Sequence, residues 1–245
     1  MRIALASACS LLAVLGLAGP ANADLFPTSP ADANAKSVVG FVGATVRENN
    51  NYAIVGAVAA FNGDLNKSGV IFNGSWEFLT YEYLANPVTP IQAGGFGLNA
   101  LVGYQWVWGD GDKFSALAGV NHRSIDTDPA DPLSDADGDN TSFKVQGEIY
   151  LNNPGWDFSG IASYATHQNA WFTRARVGIE VGSGVAIGPE VSFHGNEEYD
   201  TVEAGAFIRV PIDETTTLGV RGGYAESDES RSDGGYIGLE FSKAL

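Results

Sequence analysis

Three histidines, His122, His167 and His194, are the chain's candidates for general-base chemistry. Around the third, Ser192, His194 and Asp200 supply the residue types of an acyl-transfer set: nucleophile, base and orienting carboxylate. Spacing alone brings no nucleophile against a base, so the histidines read as plain loop side chains and no catalytic residue is assigned. Six aspartates, Asp126, Asp128, Asp131, Asp135, Asp137 and Asp139, crowd one segment. Asp135-Ala136-Asp137-Gly138-Asp139-Asn140 imitates the start of a calcium loop. Its sixth position is Asn140 where glycine is needed, and its twelfth is Gln146 where a bidentate glutamate is needed. The segment reads as a solvated acidic loop, with weak divalent-cation bridging to anionic lipopolysaccharide as an intermediate case. No metal ligand and no cofactor are assigned. The third constellation is Lys144, Glu148, Arg174, Arg176, Glu180, Glu190, Glu203, Arg209, Arg221 and Glu240. If these share the inside of one sheet, they either select a hydrophilic solute or pair across strands and brace an interior. The alternation of signs between neighbouring strands favours bracing.

Composition narrows what can position these residues. The 245 residues carry 13 Lys and Arg against 29 Asp and Glu, a formal charge of -16, which leaves no basic stripe for nucleic acid. Thirty-one glycines with 11% aromatic residues suit many short strands joined by turns. Met1-Arg2, the apolar stretch Ile3 to Leu17 and Ala21-Asn22-Ala23 form the pattern of a secretory signal peptide over 1–23, cut before Asp24. Cys9, the only cysteine, falls in that segment, so the exported chain is expected to have no disulfide, thiolate metal site or Cys nucleophile. Residues 24–36 read as a flexible, Pro- and Asp-rich tail, and 37–245 as a single domain.

That domain repeats one pattern. Stretches of about ten residues alternate in polarity and end at Gly, Asn, Asp or Pro, with about twelve strands starting near Val38, Tyr52, Val70, Phe96, Phe114, Phe143, Trp156, Trp171, Val185, Val202, Thr217 and Gly235. Phe96, Leu98, Ala100, Val102, Tyr104, Trp106 and Trp108 share one face, opposite Asn99 and Gln105. Phe143, Val145, Ile149 and Leu151 oppose Lys144, Gln146 and Glu148 in the same way, and Trp171, Ala175, Val177 and Ile179 oppose Arg174 and Arg176. A soluble sandwich would put the apolar face in a core. Strand length, aromatic ends and the export signal favour an all-β, up-and-down antiparallel transmembrane β-barrel, with the apolar face in outer-membrane lipid and the charges in the lumen. Connections support this. Those after even strands are short (109–112, 152–155, 182–184), and those after odd strands are long (81–92, 124–141, 194–200, 226–234).

Several stretches resemble the BcsS family of bacterial cellulose biosynthesis proteins: Ala59 to Leu65, Val102 to Gly109, Phe143 to Asn152, Ala175 to Gly178, and above all Ile187-Gly188-Pro189-Glu190-Val191-Ser192-Phe193-His194-Gly195-Asn196-Glu197. The resemblance runs in order over nearly the whole exported chain. It implies a non-catalytic accessory of cellulose synthesis or export in a Gram-negative outer membrane, and it brings no catalytic motif to carry over. Expected partners are outer-membrane lipid and lipopolysaccharide, and cellulose synthase or export components or the glucan chain itself. Tyr81, Tyr83 and Tyr199 on outward loops could stack on sugar rings. The alternatives left open are a small general porin and a surface enzyme acting on lipid or glycan.

Overall fold

The computed structural model describes residues 36–85, 89–131, 137–228 and 233–245. The expected signal peptide, all but the last residue of the expected tail, and Asp135 lie outside the described residues.

Alternating polarity across twelve segments can bury its charged face only by closing on itself, and the chain does so. The strands are β1 (Val38–Arg47), β2 (Asn50–Ala60), β3 (Gly69–Ala85), β4 (Thr89–Trp108), β5 (Asp112–Asp128), β6 (Gly138–Asn153), β7 (Trp156–Ala165), β8 (Ala170–Gly182), β9 (Val185–Gly195), β10 (Asp200–Pro211), β11 (Thr216–Asp228) and β12 (Gly234–Ala244). Each pairs antiparallel with its sequence neighbours, and β1 closes on β12 from Val39↔Ala244 to Arg47↔Tyr236. Closure leaves the membrane-spanning wall no open edge, which a sheet in lipid requires. The outer wall is apolar: Trp76, Leu98, Val102, Trp106, Val145, Val177 and Ile208 all stand exposed on it.

Four strands are much longer than expected. β3 to β6 run 17, 20, 17 and 16 residues, where about 9–11 cross a membrane. Most of the loops expected at 81–92 and 124–141 are therefore sheet, which corrects the sequence expectation. The reason lies on the inner face. Tyr81 pairs with Ala93, Tyr83 with Ile91, and these four bury a small apolar cluster with Ile125 beyond the charged lumen. The inner face turns from charged to apolar there, which hides the continuing strand from a search for charged-in alternation.

The end where β1 begins and β12 finishes is stoppered. Val39, Phe41, Val58, Ile71, Leu101 and Leu117 point inward and cluster around Leu65, which the β2–β3 turn folds into the mouth of the barrel. That turn is pinned from three sides. The Leu65 N–H donates to the Lys36 carbonyl (2.8 Å), and the Leu65 carbonyl accepts from Gln105 Nε2 (2.8 Å) and Lys113 Nζ (3.0 Å). Leu65 is 1% exposed, so the turn forms part of the core. Gly56 makes room for this packing, because a Cβ there would lie 2.5 Å from Phe41 Cζ and 2.6 Å from the Gly74 carbonyl oxygen. Gly56→Leu should therefore force Phe41 out of the stopper and destabilise the barrel by about 1–3 kcal/mol, read as a lower temperature for the heat-modified gel shift. At the same end, the β10–β11 turn is locked by Asp213. The backbone N–H of Thr215 (2.7 Å) and its hydroxyl (2.8 Å) donate to this exposed carboxylate and bring it down to about 2.

Candidate functional site: the charged lumen

Parity along each strand decides which charges meet. Among the described residues, eight Lys and Arg side chains point inward: Arg47, Lys113, Arg123, Lys144, Arg174, Arg176, Arg209 and Arg221. Only six of the described carboxylates do so: Glu77, Glu148, Asp157, Glu190, Glu203 and Glu240. A strongly acidic chain thus encloses a lumen with a cationic surplus.

Most of the ten candidates meet in one network. Glu240 on β12 reaches across to β8, accepting from Arg174 Nη1 (2.7 Å) and from both terminal nitrogens of Arg176 (2.6 and 2.7 Å). Arg176 also donates through Nε to Glu190 on β9. Arg221 on β11 completes the chain, bonding Glu190 (2.6 Å) and Glu203 (3.3 Å) and donating to Thr45 Oγ1 on β1 (2.7 Å). Arg209 pairs separately with Asp157 (2.6 Å). The Phe207 ring lies between the two groups, 5.1 Å from the Arg176 guanidinium and 6.0 Å from that of Arg209. On the opposite wall Lys144 faces Glu77 (3.5 Å) and donates to Asn99 Oδ1 (2.9 Å), while Asn99 Nδ2 donates to Glu77 (2.6 Å). Among the described residues Glu148 meets no cation; it accepts from Gln146 Nε2 (2.5 Å). Glu180 departs from the expected set. It has the inward parity but is exposed, at a register irregularity between Glu180 and Gly182 where β8 leaves the barrel.

Arg47, Glu77, Arg123 and Asp157 belong to this interior and were not expected from sequence. Their signal was the same alternation, with Asn73, Ser75 and Glu77 sharing one parity on β3. The histidines are dispersed. His122 sits on the outer face with Nδ1 2.9 Å from Thr141 Oγ1, and His167 occupies a single 3₁₀ turn, His167–Asn169. His194 points inward, its ring 6.4 Å from that of Phe172 and its Nε2 3.9 Å from Glu203. The Ser192 hydroxyl donates a hydrogen bond to Glu203 (2.7 Å), and Asp200 is exposed at the start of β10. In the acidic segment, Asp131 accepts from Tyr83 OH (3.2 Å). Among the described residues, no three His, Asp or Glu side chains converge as a metal site.

Above the stopper lies a cavity of about 230 Å³ that faces the loop end. Phe41 and Leu101 form its floor; Tyr52, Tyr81, Phe172 and Tyr199 supply aromatic faces; Arg47, Arg123 and His194 line its upper wall. The ring centroids of Tyr81 and Tyr199 are 5.4 Å apart.

Among solved structures, an outer-membrane channel from Pseudomonas putida F1 is 10% identical with a TM-score of 0.59, the match covering 91% of this chain and 100% of that one. The KdgM porin, solved in complex with disordered oligogalacturonate, is 7% identical with a TM-score of 0.47, covering 84% and 99%. The transport unit of the autotransporter AIDA-I from Escherichia coli is 13% identical with a TM-score of 0.45, covering 91% and 92%. At such identities the first of these speaks to the fold alone, and the fold is that of outer-membrane barrels. No curated protein sequence matches the chain. The profile of the family described as cellulose biosynthesis protein BcsS matches residues 39–245, from the second residue of β1 to the C-terminus. With all twelve strands inside that match, save the first residue of β1, the chain belongs to the BcsS family of cellulose biosynthesis proteins.

Proposed function

We propose that the chain serves cellulose production from the outer membrane as a non-catalytic accessory, its barrel acting as a closed scaffold and not as a conduit. The observation that carries this reading is the stopper, in which Leu65, Phe41 and Leu101 fill one end of the lumen below the Arg–Glu network. A glucan passing through would have to displace that packed cluster and break buried ion pairs, and a small general porin faces the same obstacle. The apolar wall suits outer-membrane lipid and lipopolysaccharide. The extensions of β3 to β6 stand beyond it, where synthase or export components or the emerging glucan would meet the protein.

Deletion tests the reading. Cellulose yield or the morphology of surface fibres should change while growth rate does not, and the full-length gene should restore both. An unaltered cellulose matrix in the deletion strain would refute the role.

A further inference from the structure

We propose that the loop-facing cavity is a binding site for one acidic sugar ring, a carboxylate- or phosphate-bearing monosaccharide, held by Arg47 and Arg123. The first observation is an orphaned cation. Arg47 is buried, its side chain 2% exposed, and among the described residues Nε, Nη1 and Nη2 all lack a hydrogen-bond partner. Its nearest carboxylate, Glu203, lies at 3.7 Å and is already engaged by Ser192 (2.7 Å), Arg221 (3.3 Å) and His194 (3.9 Å). A guanidinium brings five donors in a fixed fork suited to a carboxylate or phosphate, and burying them without an acceptor is unfavourable. Arg123 repeats the pattern: its Nε has no partner, and its one ion pair, to Glu77, is long at 3.6 Å.

The second observation is charge. Five cationic side chains line the cavity against three carboxylates, inside a chain whose formal charge is -16. This local surplus selects for an anion. The third is shape. Tyr81, Tyr199 and Phe172 present ring faces, and Asn50 and Asn196 present amides, which is the mixture of stacking surface and hydrogen-bonding groups that a hydroxyl-rich ring needs. A volume of about 230 Å³ lies below the usual ~300–1,000 Å³ of ligand pockets and confines the occupant to about one ring. The neutral residues of cellulose lack the anionic group, so the site would read a different saccharide from the one the family is named for. This inference therefore stands apart from the cellulose role, and binding without a deletion phenotype would separate the two.

The test is calorimetric titration of the detergent-purified, full-length barrel with D-glucuronate, glucose 6-phosphate, glucose and inorganic phosphate. One of the two acids should bind saturably and at least tenfold more tightly than glucose, and which one binds distinguishes carboxylate from phosphate. Arg47→Gln and Arg123→Gln should each weaken that binding tenfold or more, and Lys67→Gln, at an exposed turn cation, should leave it unchanged. Arg47→Lys, which keeps the charge and loses the fork, gives the same readout should Arg47→Gln fail to fold. The proposal is overturned if neither acid binds the folded barrel, if glucose matches them, if inorganic phosphate alone binds as tightly, or if the Arg47 and Arg123 variants bind as the wild type does.

Discussion

Glu240→Ala should destabilise the barrel more than any other single change in the lumen, by about 3–5 kcal/mol. The reason is what it leaves behind. Glu240 accepts from Arg174 and from two nitrogens of Arg176, and Arg221 Nε lies 4.0 Å away. Its loss takes a carboxylate from three guanidiniums in a closed interior; Arg176 and Arg221 keep Glu190, and among the described residues Arg174 keeps none. Removing a cation is milder. In Arg176→Gln, Glu240 keeps Arg174 and Glu190 keeps Arg221, so no carboxylate is left alone. Urea unfolding midpoints of the refolded barrel in detergent would rank these variants. Equal stability of Glu240→Ala and the wild type would show that the network does not brace the wall.

Val177→Arg should impair membrane insertion and cost about 2–4 kcal/mol, although its neighbour Arg176 is already an arginine. The two side chains differ by one step in a period of two. Val177 stands exposed on the outer wall opposite Phe158, and Arg176 is buried against Glu190 and Glu240. A charge at 177 has no partner in lipid; the one at 176 has two. Outer-membrane yield, measured by fractionation and by the heat-modifiable gel shift, should fall sharply for Val177→Arg and only slightly for Arg176→Gln. Comparable losses at the two positions would contradict the assignment of faces.

How far the sequence carried depended on which signal each element left. Alternation of the Phe96–Trp108 and Trp171–Ile179 kind is set by local backbone geometry, so strand number and facing were legible. Where the inner face stops being charged, as at Tyr81, Tyr83 and Ile91, the same geometry continues with a different chemistry, and strands were mistaken for loops. The ion pairs show the same divide. That Arg174, Arg176 and Glu240 point inward follows from parity, but that β12 meets β8 across the lumen, with Arg176 and Glu240 64 positions apart in sequence, depends on barrel closure. Glu180 has the right parity and the wrong height. The stopper was invisible for a further reason: Leu65 lies in a polar turn, Asn62-Gly63-Asp64-Leu65-Asn66, and its burial depends on Gln105 and Lys113, some forty residues away.

The most direct test of a closed, membrane-spanning scaffold is electrical. Purified barrel inserted into a planar lipid bilayer should give no steady ionic current, because the Leu65–Phe41–Leu101 cluster blocks one end and the Arg–Glu network crosses the lumen above it. Removing the blockade with Leu65→Gly and Phe41→Ala together should raise the frequency of brief openings. Stable, ohmic single-channel conductance from the unaltered protein would contradict the account.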